Sequence, residues 1–359
     1  MNVLYLINYA GSAGTEKYVY NLIEAFHGKG INCYFAYNIE GKLSRDLEAM
    51  GIGTLRVEMK HPFHVGAAKT IAAYCKENNI DVIHTQYPRE NAIALLARKY
   101  CKNLKIVYTS HIVIGCSRLW KIINKRITKN NHKVIAVCNK GREVLIENGY
   151  PAEKIEVIYN GITPGNASKG RPGLKSELGV DEEDFVITTL TRYHFLKGVD
   201  YLIESIGELK KLTDRKFKLL IVGDGELKDE TVALVNKLEL NDCVKMLGFR
   251  DDANDILGIS DVYINSSKSE ALSFAILEAM NSSLPIIATN VGGNSDLVSC
   301  ETDCGILVEY GDSASTANAI YRIMKDDALR EKYSQNAFKA VNTVFNQENL
   351  IERTREMYL

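Results

Sequence analysis

Ser266-Ser-Lys-Ser-Glu270-Ala-Leu-Ser273-Phe-Ala-Ile-Leu-Glu278-Ala-Met-Asn-Ser-Ser-Leu-Pro-Ile-Ile-Ala-Thr-Asn-Val-Gly292-Gly-Asn-Ser-Asp-Leu-Val298 is the stretch whose reading decides the fold. The apolar run Asp261 to Asn265 ahead of it predicts a strand, and the polar residues to Glu270 predict a loop. Ser273 is then a suitable N-cap for a helix from Phe274 to Met280. The leading N–H groups of such a helix, from Phe274 through Ala275 to Leu277, lack acceptors within it and sit at the positive end of its dipole. They suit a phosphate or diphosphate. Glu270 lies just before that anion site and Glu278 a turn inside it, so one carboxylate can face whatever the diphosphate carries and the other the hydroxyls of a ribose.

Two such carboxylates also arise by chance, as a solvated loop residue and a surface helix residue. The surroundings favour function. Glu278 is embedded in Ala-Ile-Leu-Glu-Ala-Met, where a structural helix would show an apolar residue or a polar stripe. Leu284 to Gly293 reads as a buried strand ending in a glycine turn, which brings a second loop to the same sheet edge.

Working outward, Phe185 to Leu190 predicts a strand that runs into Thr191-Arg192-Tyr-His-Phe-Leu-Lys197-Gly198 and a helix from Val199. Surface cations are usually uncommitted, but Arg192 and Lys197 fall at the strand-end edge where Glu270 is expected. Leu219 to Leu227 is another strand and glycine turn, and Val244 to Leu247 leads into Gly248-Phe249-Arg250. In the first half, strands are expected at Val3 to Ile7, Asn32 to Tyr37, Asp81 to Thr85, Lys105 to Thr109, Lys133 to Val137 and Ile155 to Ile162, with helices between. Alternation of this kind predicts parallel, doubly wound sheets. The loop Asn8 to Glu16, with Gly11 and Gly14, fits either a tight turn or a ligand loop. His84 and His111 sit at strand ends, where a histidine is more often a structural hydrogen-bonder.

The stretch 266 to 298 closely resembles the Glu-x7-Glu signature of the retaining glycosyltransferases of family 4, which have the GT-B fold of two Rossmann-like domains facing a central cleft. It departs from that pattern at Ala271 and Ser273, where many members carry glycines. The resemblance implies that Arg192 and Lys197 neutralise the leaving nucleoside diphosphate, with Thr191 in place of the usual glycine. It implies that Glu270 holds sugar hydroxyls near the reacting carbon, that Glu278 holds the ribose, and that the loop of Phe249 and Arg250 holds the base. His111 resembles the family's histidine near the donor sugar. Gly14-Thr15-Glu16 resembles its Gly-Gly-x-Glu loop, with Ala13 for the first glycine. A UDP-sugar donor, retention at the anomeric carbon and a lipid-linked or glycan acceptor are the corresponding expectations.

The chain has 359 residues and 46% hydrophobic composition, enough for two cores. The Gly/Pro/Ser-rich run Thr163 to Gly173 predicts a boundary near 163, giving an acceptor domain 1–163, a nucleotide-sugar domain 164–340 and a segment 341–359 crossing back to the first. No apolar run reaches 18 residues, and eight scattered cysteines suit reduced thiols in a cytoplasmic protein. No Asp-x-Asp motif occurs, so no metal and no cofactor are expected.

Charge is split. Residues 1 to 160 carry 22 basic against 13 acidic residues (+9), and the remainder 22 against 32 (−10). Between Asn91 and Arg142 there are 12 basic residues and no acidic one. On a helix from Arg118 to Lys129, basic residues flank an apolar stripe of Leu119, Ile123 and Ile127 with Trp120 alongside. That fits an ordinary solvated face or docking on anionic lipid at the inner face of a cell membrane; a nucleic-acid partner is not expected. Two Rossmann-like halves also fit an NAD-dependent oxidoreductase, although no Gly-x-Gly-x-x-Gly follows the first strand. Against a non-catalytic nucleotide-binding protein stands the complete Arg/Lys and Glu/Glu set.

Overall fold

A computed structural model describes residues 1–165, 169–299 and 301–359. The chain divides into two compact units, one of Met1–Asn160 with Glu348–Leu359, the other of Gly161–Gln347. Each is a parallel sheet between helices.

The first unit's strands are β1 (Asn2–Tyr9), β2 (Asn32–Ile39), β3 (Gly53–Arg56), β4 (Val82–Thr85), β5 (Lys105–Ser110), β6 (Lys133–Ala136) and β7 (Ile155–Val157), arranged β3-β2-β1-β4-β5-β6-β7. The second unit has β8 (Phe185–Leu190), β9 (Phe217–Val222), β10 (Val244–Gly248), β11 (Val262–Asn265), β12 (Ile286–Thr289) and β13 (Gly305–Val308), in the order β10-β9-β8-β11-β12-β13. Inner strands such as Phe-Val-Ile-Thr-Thr-Leu in β8 are covered on both faces, which is why they read as continuous apolar runs. The helices Val199–Leu212 and Ser313–Lys325 bury Leu202, Ile206, Ile320 and Ile323 in one cluster with Ile187 and Leu219 of the sheet. In the first unit Leu4, Leu6, Ile83 and Ile106 meet Ile71 and Ile93 of the flanking helices.

Three local readings change. The helix Lys42–Ala49 and β3 are absent from the sequence reading, because β3 is a four-residue, partly exposed edge strand too short to show a period. The strand expected over Ile155 to Ile162 stops at Val157; Ile162 forms instead a parallel bridge to Asn346 within the second unit. The helix expected over Arg118 to Lys129 ends at Ile127 and tightens into a 3₁₀ turn, Thr128–Asn130. Its outward apolar residues are Leu119 and Ile122, whereas Ile123 and Ile127 are half-buried.

Candidate functional site

In each sheet the strand order reverses once, and ligands of open parallel sheets bind outside the carboxyl ends of the strands at that point. In the second unit the reversal falls between β8 and β11. The loop after β8 carries Arg192 and Lys197, and the loop after β11 carries Glu270. These loops are stitched together: Lys268 N–H donates to the Leu196 carbonyl (2.8 Å) and Ser266 Oγ to the Lys197 carbonyl (2.9 Å). Gly198, at φ +59°, lies so close that a Cβ there would stand 2.3 Å from the Ser266 carbonyl oxygen. Between the loops, Lys197 Nζ meets Glu270 Oε2 at 2.6 Å, and Ser267 Oγ donates to the same oxygen at 2.9 Å. The two side chains are only 23% and 14% exposed, so this ion pair is better shielded than a surface one.

Behind Glu270 the helix Phe274–Asn281 begins. Ser273 is its N-cap, its hydroxyl accepting the Ile276 N–H and its carbonyl the Leu277 N–H. The Leu277 amide is therefore committed within the helix and does not face an anion. The cap is supported from below by buried Asn265, which lies 3.5 Å from Ser273 Oγ and accepts from Asn294 Nδ2 at 3.1 Å. Glu278 is half-buried, four residues beyond Phe274 and so on the same face. The phenol of Tyr263 in β11 lies near both carboxylates: burial raises its pKa above all, and the charges of Glu278 and Glu270 add to the rise. Gly292, at φ +54°, touches the turn from the other side: a Cβ there would sit 1.6 Å from the Glu270 carbonyl oxygen. Gly293 N–H donates to the Ala271 carbonyl (2.8 Å).

Arg192 is exposed, and among the described residues its guanidinium has no protein partner. Phe249, just past β10, is 77% exposed. Arg250 differs: its guanidinium donates to both oxygens of Asp252 (2.7 and 2.6 Å) and to Glu177 (3.1 Å), so it is already held by carboxylates. Sequence reasoning overlooked Ser267, Asn265 and Asn294, and read Gly292 only as part of a glycine turn. The one signal was an asparagine closing an apolar strand at Asn265.

In the first unit the reversal lies between β1 and β4. Gly14 opens the helix Gly14–Phe26, and Thr15 Oγ1 is 2.9 Å from the Tyr87 hydroxyl after β4. His111 follows β5, with Nε2 2.9 Å from Gln86 Oε1 and its ring edge-on to Tyr18 at 4.8 Å. His84 is fully buried, 2.7 Å from Tyr358 and 2.7 Å from Thr109. Burial holds both imidazoles neutral, with pKa values lowered to about 3. Burial also raises Glu90 to about 7.

These shifts predict a pH dependence. Unfolded histidines bind a proton below about 6.5 while the folded ones do not, so stability present above 6.5 is lost as pH falls toward 3. Glu90 acts oppositely between 4.5 and 7, where the folded state holds the extra proton. Between about pH 4.5 and 6.5, two imidazoles against one carboxyl leave a net loss of about 1.4 kcal/mol per pH unit. Urea midpoints at pH 7.5 and 5.5 check this: the midpoint should be lower at 5.5, and Glu90→Gln should widen the difference.

Two doubly wound units, one with a shielded lysine–carboxylate pair at its strand reversal ahead of a capped helix, have the architecture of the GT-B glycosyltransferases. The chain belongs to glycosyltransferase family 4: the profile described as "Glycosyltransferase Family 4" matches residues 12–165 and that described as "Glycosyl transferases group 1" matches residues 171–340. It is 27% identical over 304 residues (83% of this chain, 79% of the relative) to N-acetyl-alpha-D-glucosaminyl L-malate synthase of Bacillus anthracis. It is 28% identical over 306 residues (79% and 76%) to the UDP-Gal:alpha-D-GlcNAc-diphosphoundecaprenol alpha-1,3-galactosyltransferase of Escherichia coli. Among solved structures, a glycosyltransferase from Rickettsia africae superposes with TM-score 0.88 at 24% identity, covering 99% of this chain and 97% of the other. Anabaena HepE in complex with UDP gives 0.87 at 22% identity, covering 99% of each.

Proposed function

We propose that this glycosyltransferase moves a hexose or N-acetylhexosamine from a UDP-sugar to a lipid-linked or glycan acceptor, with retention of anomeric configuration and without a metal ion. The observation that carries the reading is the Lys197–Glu270 pair between two stitched loops, directly ahead of the Ser273-capped helix. Departure of UDP needs its diphosphate charge neutralised as the bond breaks, and fixed cations and amide dipoles do this with little reorganisation. Lys197, Arg192 and the positive N-terminal end of the helix Phe274–Asn281 supply that field. Glu270 orients sugar hydroxyls beside the reacting carbon, Glu278 accepts from the ribose, and Phe249 offers an exposed ring to the base. Gly14 and His111 are the first unit's contribution, His111 as a neutral imidazole near the donor sugar. The acceptor's hydrocarbon or phosphate brings the first unit to an anionic membrane surface through the basic helix Arg118–Ile127. Among the described residues no helix is long and apolar enough to cross a membrane.

Two measurements test this. UDP release from a panel of UDP-sugars should continue undiminished in EDTA, and proton NMR of the product should show the donor's anomeric configuration. Activity that disappears with chelator and returns with magnesium, or an inverted product, would refute the corresponding part. Separately, the protein should float with phosphatidylglycerol vesicles at low salt and detach at high salt; indifference to the vesicles removes the membrane from the scheme.

A further inference from the structure

The first unit contains an apolar pocket of about 280 Å³ that the transfer chemistry does not use. Its walls come from the helix Arg118–Ile127, through Trp120 and Ile127, and from Ile112, Leu145 and Tyr150 on the neighbouring segments. Polar groups also line it, and its side-chain amides are already engaged by protein partners. Asn91 and Asn131 exchange amide hydrogen bonds (3.3 and 2.7 Å). Asn148 accepts from the Cys116 N–H and donates to the Ile114 carbonyl, both at 2.9 Å, while Asn124 donates to the Asn148 carbonyl (2.9 Å). Ser110 donates to the Ile112 carbonyl and Arg89 to Asn8. A sugar entering here would trade water for amides already taken, at a cost of a few kcal/mol per unpaired polar group. A hydrocarbon needs only the walls.

At the rim, Ile114 lines the pocket and is 59% exposed. The outer side of the same helix exposes Leu119 (66%) and Ile122 (56%), and Phe63 (43%) stacks on Trp120 with ring centroids 5.9 Å apart. The helix that carries Leu119 and Ile122 also bears Arg118, Lys121, Lys125 and Arg126, and Arg89 lines the pocket itself. An apolar rim in a cationic field is complementary to a hydrocarbon chain whose head bears phosphate.

We infer that this pocket seats the proximal hydrocarbon of the lipid-linked acceptor, a prenyl or acyl chain drawn from the membrane beside the basic helix. The inference rests on the transferase reading above and adds where the acceptor's lipid is held. An apolar cavity of roughly 150 Å³ accommodates benzene, so this one has room for about a dozen carbons.

Trp120 is the chain's single tryptophan, so its fluorescence reports on the pocket alone. With the full-length protein and no membrane, 12-bromododecan-1-ol should quench it saturably and unbrominated dodecan-1-ol should restore it. Ile114→Glu, at an exposed rim position that folding tolerates, should weaken the quenching about tenfold or more by putting a charge in the chain's path. Ala92→Phe fills the cavity from the helix Pro88–Ala97 and should abolish it; if that variant does not fold, Ile114→Glu decides. Leu119→Glu should leave the quenching intact while weakening vesicle flotation. Quenching that never saturates, that is unaltered in Ile114→Glu, or that falls equally in Leu119→Glu overturns the assignment. So does a concentration-dependent dimer with Trp120 shielded and no response to the probe, which would give the pocket to a second copy of the chain. Sugar transfer to a water-soluble acceptor without probe binding would sink the pocket alone. Displaceable quenching without any sugar transfer would uphold the pocket and sink the transferase reading.

Discussion

Glu270→Gln is expected to lower kcat about 10²- to 10³-fold while leaving UDP affinity unchanged or improved. The first half follows from the site's shape. A carboxylate that holds sugar hydroxyls beside the reacting carbon contributes most when positive charge develops there, so its loss appears in turnover. The second half follows from the ion pair. In the structure Lys197 Nζ rests 2.6 Å from Glu270 Oε2, so an arriving diphosphate must compete with that carboxylate for the ammonium. Glutamine keeps the side chain's size and its contact with Ser267 but removes the competing charge. Initial-rate kinetics and a UDP titration on the same preparation separate the two effects. Lower kcat together with equally lower UDP affinity would mean that Glu270 serves to position the donor and not the reaction.

The second large effect concerns a residue that touches no ligand in this scheme. Gly292→Ala is expected to reduce kcat/KM about 10²-fold with the fold retained. Gly292 has φ +54°, a conformation that costs an L-residue about 1–2 kcal/mol, and its new methyl would stand 1.6 Å from the Glu270 carbonyl oxygen. Backbone cannot be overlapped, so the Ser267–Ala271 turn must move. A displacement of about 1 Å at a reacting group is enough for a loss of that size. Circular dichroism should be unchanged and the melting temperature lower by a few degrees. An active variant with normal kinetics would show that the turn carrying Glu270 is compliant and that its placement is not set by Gly292.

Much of this arrangement is legible in the chain itself. The strand, loop and helix around Glu270 can be read because Ser273 is a cap residue directly before an apolar run, and the structure places its hydroxyl on the Ile276 N–H. The parallel sheets follow from the alternation of apolar strands with helices. What escapes reading is whatever depends on contacts distant in sequence. Nothing local says that Lys197 will pair with Glu270, 73 residues on, or that Arg250 will be held by Asp252 and Glu177. The end of β7 is hidden for a similar reason: Ile-Glu-Val-Ile-Tyr-Asn-Gly-Ile is apolar enough to continue as a strand, but Ile162 finds its partner in Asn346. Gly292 illustrates another limit. A glycine pair announces a turn, but only the folded backbone reveals which carbonyl the missing side chain makes room for. The basic helix was legible in charge and not in facing, because its outward residues depend on how it lies over the pocket.

The central claim is that a metal-free cradle of cation and amides in the second unit grips the diphosphate. Calorimetric titration of UDP in EDTA, comparing the wild-type chain with Lys197→Ala, addresses it most directly. The account predicts saturable binding to the wild type and binding weaker by about tenfold or more in the variant, the loss of one charge-assisted contact. Equal affinities in the two proteins, or binding to the wild type only after a divalent ion is restored, would contradict it.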